Sequence, residues 1–213
     1  MMDVLVKILA VVPVTLLVTL GSFVGGSILA LPLLAARRSR FLILRIVGKA
    51  IVDVLRGVPP VVFVFILFFG LGADIIRWEP LPAAIVGLGL ISAGHLCEIY
   101  RGGILAVHRG QYEASSALGL TGPIMLTHVV GPQAFKVAFP SMITWLISLL
   151  KDSSIVSTIG VVEIMFVANQ SARSSSDGLL PFVIAAAVYI VMGTPLAAFS
   201  RWLEKKLHTG RKA

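Results

Sequence analysis

The sequence predicts an all-α integral membrane protein with five transmembrane helices and a cytoplasmic helical segment between the third and the fourth. Three observations carry that prediction. Hydrophobic residues make up 57% of the 213 and charged residues 13%, about half the charged share of a typical soluble domain, and mean hydropathy is +0.98. Apolar runs that can cross about 30 Å of hydrocarbon recur along the chain, at Leu9–Leu34, Val58–Leu71, Leu81–Leu105, Val137–Ala168 and Leu180–Leu203. The basic residues between those runs gather on one side of the membrane. The single cysteine, Cys97, excludes an internal disulfide framework and a four-cysteine metal site. A net charge of +8 can mark a nucleic-acid partner, but in a membrane protein basic residues report topology first. The five runs leave no room for a soluble domain.

Leu9–Leu34 is too long for the apolar core of a signal peptide and only Lys7 precedes it, so it reads as a retained span. Gly21 and Gly25 form a small-xxx-small pair in it, which predicts close helix contact. Val58–Leu71 is short, and a helix starting near Ile46 would lengthen it. Gly57, Pro59 and Pro60 break this cytoplasmic lead-in from the membrane helix, and Asp53 and Arg56 can pair at helical spacing. In Leu81–Leu105, Gly87-Leu-Gly89 is followed by Ser92 instead of a third glycine, so these are packing residues. His95 reads as a polar residue inside the bundle; with Glu98 it lacks the further ligands of a metal site. Glu98 and Arg101 stand one turn apart near the inner face, where pairing relieves the cost of burial. The fourth run contains Lys151 and Asp152, which are adjacent and point to different sides of a helix. Asp152 and Glu163, eleven residues apart, are expected on similar faces. Gly48-Lys49 is no phosphate loop, having Ile43 and Ala50 at positions that need Gly and Ser or Thr. Asn169-Gln-Ser171 matches a glycosylation sequon, an unspecific pattern.

Lys and Arg placement orients the bundle. Fourteen of them, among them Arg37, Arg38, Arg40, Arg45, Arg101, Arg109, Lys136, Arg201, Arg211 and Lys212, fall on one side against Lys7, Arg77 and Arg173 on the other. The N-terminus is therefore expected outside and the C-terminus in the cytoplasm. The outer loops, Gly72–Pro80 and about Asn169–Gly178, are too short to form a substrate-capturing domain. No internal repeat of 20–50 residues is present.

The longest polar-leaning interruption, Glu113–Pro132, lies on the basic, cytoplasmic side. Gln111–Leu118 reads as a short helix with Glu113 near its positive end and a C-terminal cap at Gly119. Gly122-Pro123 forces a turn, and a second helical run, Ile124–Val130, is expected to stop at Gly131-Pro132. Small side chains on the first helix let it sit in another protein's groove.

Here the residues resemble a known family, the permease subunits of bacterial ABC importers. Glu113, Ala114, Gly119 and Pro132 match the spacing of the family's EAA loop; Ser115 stands for its second Ala, Val129 for Ile and Gly131 for Leu. Arg56-Gly57-Val58-Pro59 is similar to the Arg-Gly-Thr-Pro motif of the polar amino acid permeases (histidine, glutamine, glutamate or arginine type), with Val58 for Thr. Glu98-Ile-Tyr-Arg101-Gly102-Gly103-Ile104 and Arg109-Gly110-Gln111-Tyr112-Glu113-Ala114 resemble the same group. So does Ser148-Leu-Leu-Lys151-Asp152-Ser153-Ser154 with Gly160-Val-Val-Glu163, with Ser153 for Thr. The resemblance runs from about Asp53 to Phe166, and the departures within the EAA loop leave its geometry unchanged.

The resemblance implies one transmembrane domain over residues 1–213 of the type I importer kind, in the bacterial inner membrane. Its loop at about 109–132 acts as a coupling helix that docks into an ATPase through Glu113, Ala114, Ser115, Leu118, Gly119 and Pro132. The fourth helix lines the translocation path. Candidate pathway residues are Glu98, Lys151, Asp152, Ser153 and Glu163; for Lys151 and Asp152 a role in subunit packing stands equally open, and for Glu98 and Arg101 a structural pair. The implied partners are two ATP-binding cassette subunits, a second permease (identical or paralogous), an external substrate-binding protein, a polar amino acid and membrane lipid, with no nucleic acid. The chain itself needs no cofactor, ATP-Mg belonging to the partner, and is not an enzyme. Two other readings stand beside this one: a permease for another small solute, and an intramembrane hydrolase using a serine with His95.

Overall fold

A computed structural model describes residues 2–71, 78–174 and 178–209; Arg77, Arg211 and Lys212 lie outside them, as do residues 72–77 of the first expected outer loop and 175–177 of the second, whose 169–174 part is helical and not loop. Among the described residues the regular elements are all helical. In chain order they are α1 (Met2–Ala10), α2 (Val12–Arg37), α3 (Leu42–Gly57), α4 (Pro60–Phe65) with a π turn at Ile66–Leu71, and α5 (Pro80–Leu105). Then come α6 (Arg109–Ala117), α7 (Gly122–Met125) with a π turn at Leu126–Val130, and α8 (Gly131–Asp152) with a 3-10 turn at Ser153–Ile159. The last two are α9 (Ile164–Ser174) and α10 (Leu180–Thr209). Four stretches are long and apolar enough to cross a membrane: Met2–Arg37, Pro80–Leu105, Gly122–Ile159 and Leu180–Lys206. The α3–α4 pair makes a fifth if its two bent arms are taken together.

The bundle is built around α5, whose small residues admit a neighbour on every side. A Cβ on Gly94 would lie 2.9 Å from Leu55 Cβ of α3, on Gly87 3.3 Å from Val64 of α4, and on Gly103 2.5 Å from the Ala134 carbonyl of α8. Against α2 the contact is equally tight: a Cβ on Gly26 would sit 2.6 Å from Ser92 Cβ. The stripe of α2 that faces inward is Thr15, Thr19, Ser22, Gly26 and Ala30. Thr19 Oγ1 donates within the helix to the Thr15 carbonyl at 2.8 Å, and Ser22 Oγ donates across to the Ile85 carbonyl of α5 at 3.1 Å. The expected Gly21–Gly25 contact is therefore displaced by one residue. Gly21 does approach Ile85, but Gly25 faces open space.

Several further expectations are corrected. First, α3 does not continue α4 as one straight helix, because the two arms meet at 104°. Val58 precedes a proline and is extended (φ −83°, ψ 131°), and Pro59 and Pro60 offer no N–H to continue the helix. The expected Asp53–Arg56 ion pair does not form; the described ion pairs are elsewhere. Second, Gly131-Pro132 does not stop the segment, which runs unbroken from Gly122 to Ile159. The π turn widens the backbone just ahead of Pro132, and Gly131, whose Cβ would lie 2.5 Å from the Leu126 carbonyl, has no side chain to clash.

Third, the fourth span ends well short of Ala168, so Asp152 and Glu163 do not share the face of one helix. Ser153, Ser154, Ser157 and Thr158 each donate a hydroxyl proton to the carbonyl three residues back, at 2.6–2.8 Å. Such bonds favour the tighter 3-10 winding. Gly160 then turns the chain at φ +92°, a conformation that glycine adopts without strain. The short helix α9 packs separately, with Ile164, Val167 and Ala168 buried against Ile8 of α1 and Ala185 and Val188 of α10.

Candidate functional site

The segment expected to dock a partner folds as a short, tightly capped helix at one end of the bundle. At its start His108 Nδ1 accepts from the Gly110 N–H at 3.1 Å. At its end the Gly119 N–H donates to the Ser116 carbonyl and the Leu120 N–H to the Ser115 carbonyl, both at 3.0 Å, with Gly119 at φ +69°. This is a Schellman cap, which needs a left-handed residue at the position Gly119 holds. Ser115 is buried and donates to the Gln111 carbonyl at 2.6 Å, while Glu113, Ala114 and Gly119 are exposed. Leu118 is 77% exposed, an apolar knob beside the cap. Pro132, also exposed, begins α8 below the π turn.

Two contacts that the sequence did not announce tie α6 to the bundle. Tyr112 donates its hydroxyl to the Ile104 carbonyl at 3.3 Å. Gln133 Nε2 donates to Gln111 Oε1 and to the Val129 carbonyl, both at 3.0 Å. Beneath them Ile104, Val107, Val130 and Ala134 form a small apolar core. A push on α6 therefore reaches α5 and α8 directly. Polar side chains facing each other across 22 residues leave no local sequence signal, so these ties are visible only in the fold.

Glu98 forms the expected pair with Arg101, whose Nε and Nη2 donate to Oε2 at 3.0 and 2.7 Å. Its other oxygen meets Arg37 at the end of α2, a partner that sequence spacing does not indicate. Both oxygens of Glu98 are thus held by arginines of the same chain. Glu163 is fully buried: Oε1 accepts from the Phe166 N–H and Oε2 from the Tyr189 hydroxyl, each at 2.8 Å. It caps the first turn of α9 and straps it to α10. Lys151 is exposed and Asp152 half-buried at the end of α8, with no ion pair between them, and Ser153 is buried beside them. Lys151, with Ile147 and Leu150, faces Tyr189 and Gly193 across a cavity of about 240 Å³ between α8 and α10. The fold brings Lys151, Asp152 and Ser153 together, sets Glu163 behind them in the bundle, and leaves Glu98 in a separate cluster.

His95 stacks on Trp145, ring centroids 3.8 Å apart, and Trp145 Nε1 donates to Ser92 Oγ at 2.8 Å. His95 is a packed aromatic of the bundle. No group of three His, Cys, Asp or Glu able to hold a metal ion occurs among the described residues.

A bundle of this form with a capped, exposed helix at one end defines a class, and comparison with known proteins names it. Residues 22–209 match the family of binding-protein-dependent transport system inner membrane components. The chain belongs to that family: it is a transmembrane permease component of an ABC importer. It is 35% identical over 194 residues to the L-cystine transport system permease protein TcyB of Bacillus subtilis, covering 91% of this chain and 83% of that one. It is 34% identical over 195 residues to the arginine transport system permease protein ArtQ of the same organism, covering 91% and 89%. A solved amino acid ABC transporter, crystallised with histidines, superposes with a TM-score of 0.85 at 28% identity, covering 94% of each chain. The MetNI methionine ABC transporter in an inward-facing form shares the fold, with a TM-score of 0.75 at 21% identity over 92% of this chain and 95% of that one.

Proposed function

We propose that the chain supplies half of the translocation path of an ATP-driven importer for polar amino acids in the bacterial inner membrane. It crosses the membrane five times, with its N-terminus outside and its C-terminus in the cytoplasm. The observation that carries the reading is α6: a rigid, double-capped helix on the basic side that presents Glu113, Ala114 and Leu118 and is pinned to α5 and α8. It acts as the coupling helix, with Ser115, Gly119 and Pro132 setting its pose. ATP is bound and hydrolysed by two cassette subunits. A second permease completes the path, and an external binding protein delivers the amino acid, since the outer loops are short.

Alternating access follows from the pinning. When the ATPase pair closes, the two coupling helices are drawn together and the bundles tilt; a bound ligand biases the two states only through its different affinity for them. Lys151, Asp152 and Ser153 border the path at the end of α8. Glu98 and Glu163, already engaged by their own chain, shape the path as anchors. The cystine, arginine and histidine systems among the relatives support an amino acid as cargo.

The test uses two variants. Glu113→Ala is expected to loosen copurification of the ATPase subunit with C-terminally tagged permease from native membranes. Gly119→Trp strains the cap and crowds the docking surface, and is expected to abolish uptake while the protein stays in the membrane. Normal uptake by Gly119→Trp rejects the coupling role.

A further inference from the structure

The outward side of α9 carries a polar series that neither the coupling loop nor the Lys151–Asp152 corner uses. Its buried side, Ile164, Val167 and Ala168, packs into the core. On the other side Phe166, Asn169, Gln170 and Arg173 follow at i, i+3, i+4 and i+7, the spacing of one helix face. With Ser157 and Thr158 of the 3-10 turn they line a cavity of about 440 Å³. The Glu163 cap and its bond to Tyr189 hold this wall in place.

The chemistry of the lining is sorted into donors and acceptors. Ser157 and Thr158 spend their hydroxyl protons on the carbonyls of Ser154 and Ile155, at 2.7 and 2.6 Å, so they offer only oxygen lone pairs to a guest. Arg173, Asn169 and Gln170 supply the N–H donors. Arg173 has no ion pair among the described residues, whereas Lys7, the other described cation on the side read as external, is paired with Asp3 at 3.3 Å. A guanidinium without an ion pair among the described residues, beside two amides, suits a carboxylate; hydroxyl lone pairs suit an ammonium; Phe166 suits the carbon between them.

We propose that this cavity is an outer subsite that receives the α-carboxylate and α-ammonium groups of a free amino acid on its way to Lys151 and Asp152. The inference rests on the amino acid reading and on the outside placement of α9. Because it grips the groups common to all α-amino acids, it sets little preference among side chains. The carboxylate is essential to it.

The test uses the complete transporter in proteoliposomes with its binding protein, supplied with radiolabelled L-arginine, L-glutamine and L-cystine. For whichever is taken up, Arg173→Ala is expected to lower uptake at least tenfold and Arg173→Lys to restore part of it, with binding-protein docking and ATPase copurification unchanged. Without the binding protein, equilibrium binding of that amino acid is expected to weaken in Arg173→Ala, and its methyl ester is expected not to compete in wild type. If Arg173→Ala does not assemble, Gln170→Ala is read the same way, with a loss of several-fold. Unchanged uptake and binding in these variants overturns the subsite while the importer stands. Loss of binding-protein docking with unchanged amino acid binding assigns Arg173 to a protein contact and also overturns it. Failure of wild type to take up any of the three, with uptake of a solute that is not an amino acid, removes the reading on which the subsite rests.

Discussion

Glu98 shows how one residue can be legible and incomplete at once. Its spacing from Arg101 indicates a one-turn pair, and that pair is present; Arg37, contributed by another helix, leaves no trace in local spacing. The cluster ties the inner end of α2 to α5. Removing the shared carboxylate leaves two arginines facing each other in a site where the side chains of Arg37 and Glu98 are only 12% and 17% exposed. Glu98→Gln is expected to cost about 3 kcal/mol, at the low end for breaking a buried ion pair, seen as a lower Tm of the detergent-purified protein. An unchanged Tm would show that the cluster contributes nothing to stability. Glu163 differs in kind: its partners are an N–H three residues on and a hydroxyl on α10, so its bonds make it a cap for α9.

At the scale of elements, local chemistry predicts local structure well and long-range packing poorly. The short helix expected at Gln111–Leu118 is found at Arg109–Ala117, because its caps and its glycine lie within one short stretch. The helix that fails is the one spanning Asp152 to Glu163: apolar residues there continue, but four hydroxyls and Gly160 rewind and then turn the backbone. The α2–α5 contact was legible in type and wrong in register, since a row of small residues looks much the same from either neighbouring face. The structure separates the two registers sharply. Gly26→Leu is expected to prevent stable expression, because its Cβ alone would overlap Ser92, while Gly25→Leu is expected to leave expression and Tm unchanged. Equal behaviour of the two variants would contradict the observed register.

At the scale of the whole molecule, the surface left by one chain is that of a part. The apolar window of Leu180–Lys206 is only 6% buried within the chain, against 61% for Pro80–Leu105. Leu118, Ile43, Ile190 and Val191 are each more than 60% exposed. Lipid covers such residues within the membrane, and Leu118 is proposed to meet the partner ATPase. A complex of two permeases and two ATPase subunits is the expected species when tagged protein is purified from native membranes and weighed by light scattering. A lone permease under those conditions would contradict the half-pathway reading.

The sequence by itself determined the membrane class, the approximate spans, the capped loop and the family, because hydropathy, turn chemistry and motif spacing are all properties of near neighbours in the chain. Only the tertiary structure decided that α3 turns away from α4, that Gly26 and not Gly25 meets α5, and that Arg37 closes the Glu98 cluster. It also decided that Glu163 faces Tyr189 and that a polar cavity opens beside Arg173. Each of these depends on which helices touch and at what register, and small residues and single charges leave that open until the helices are packed.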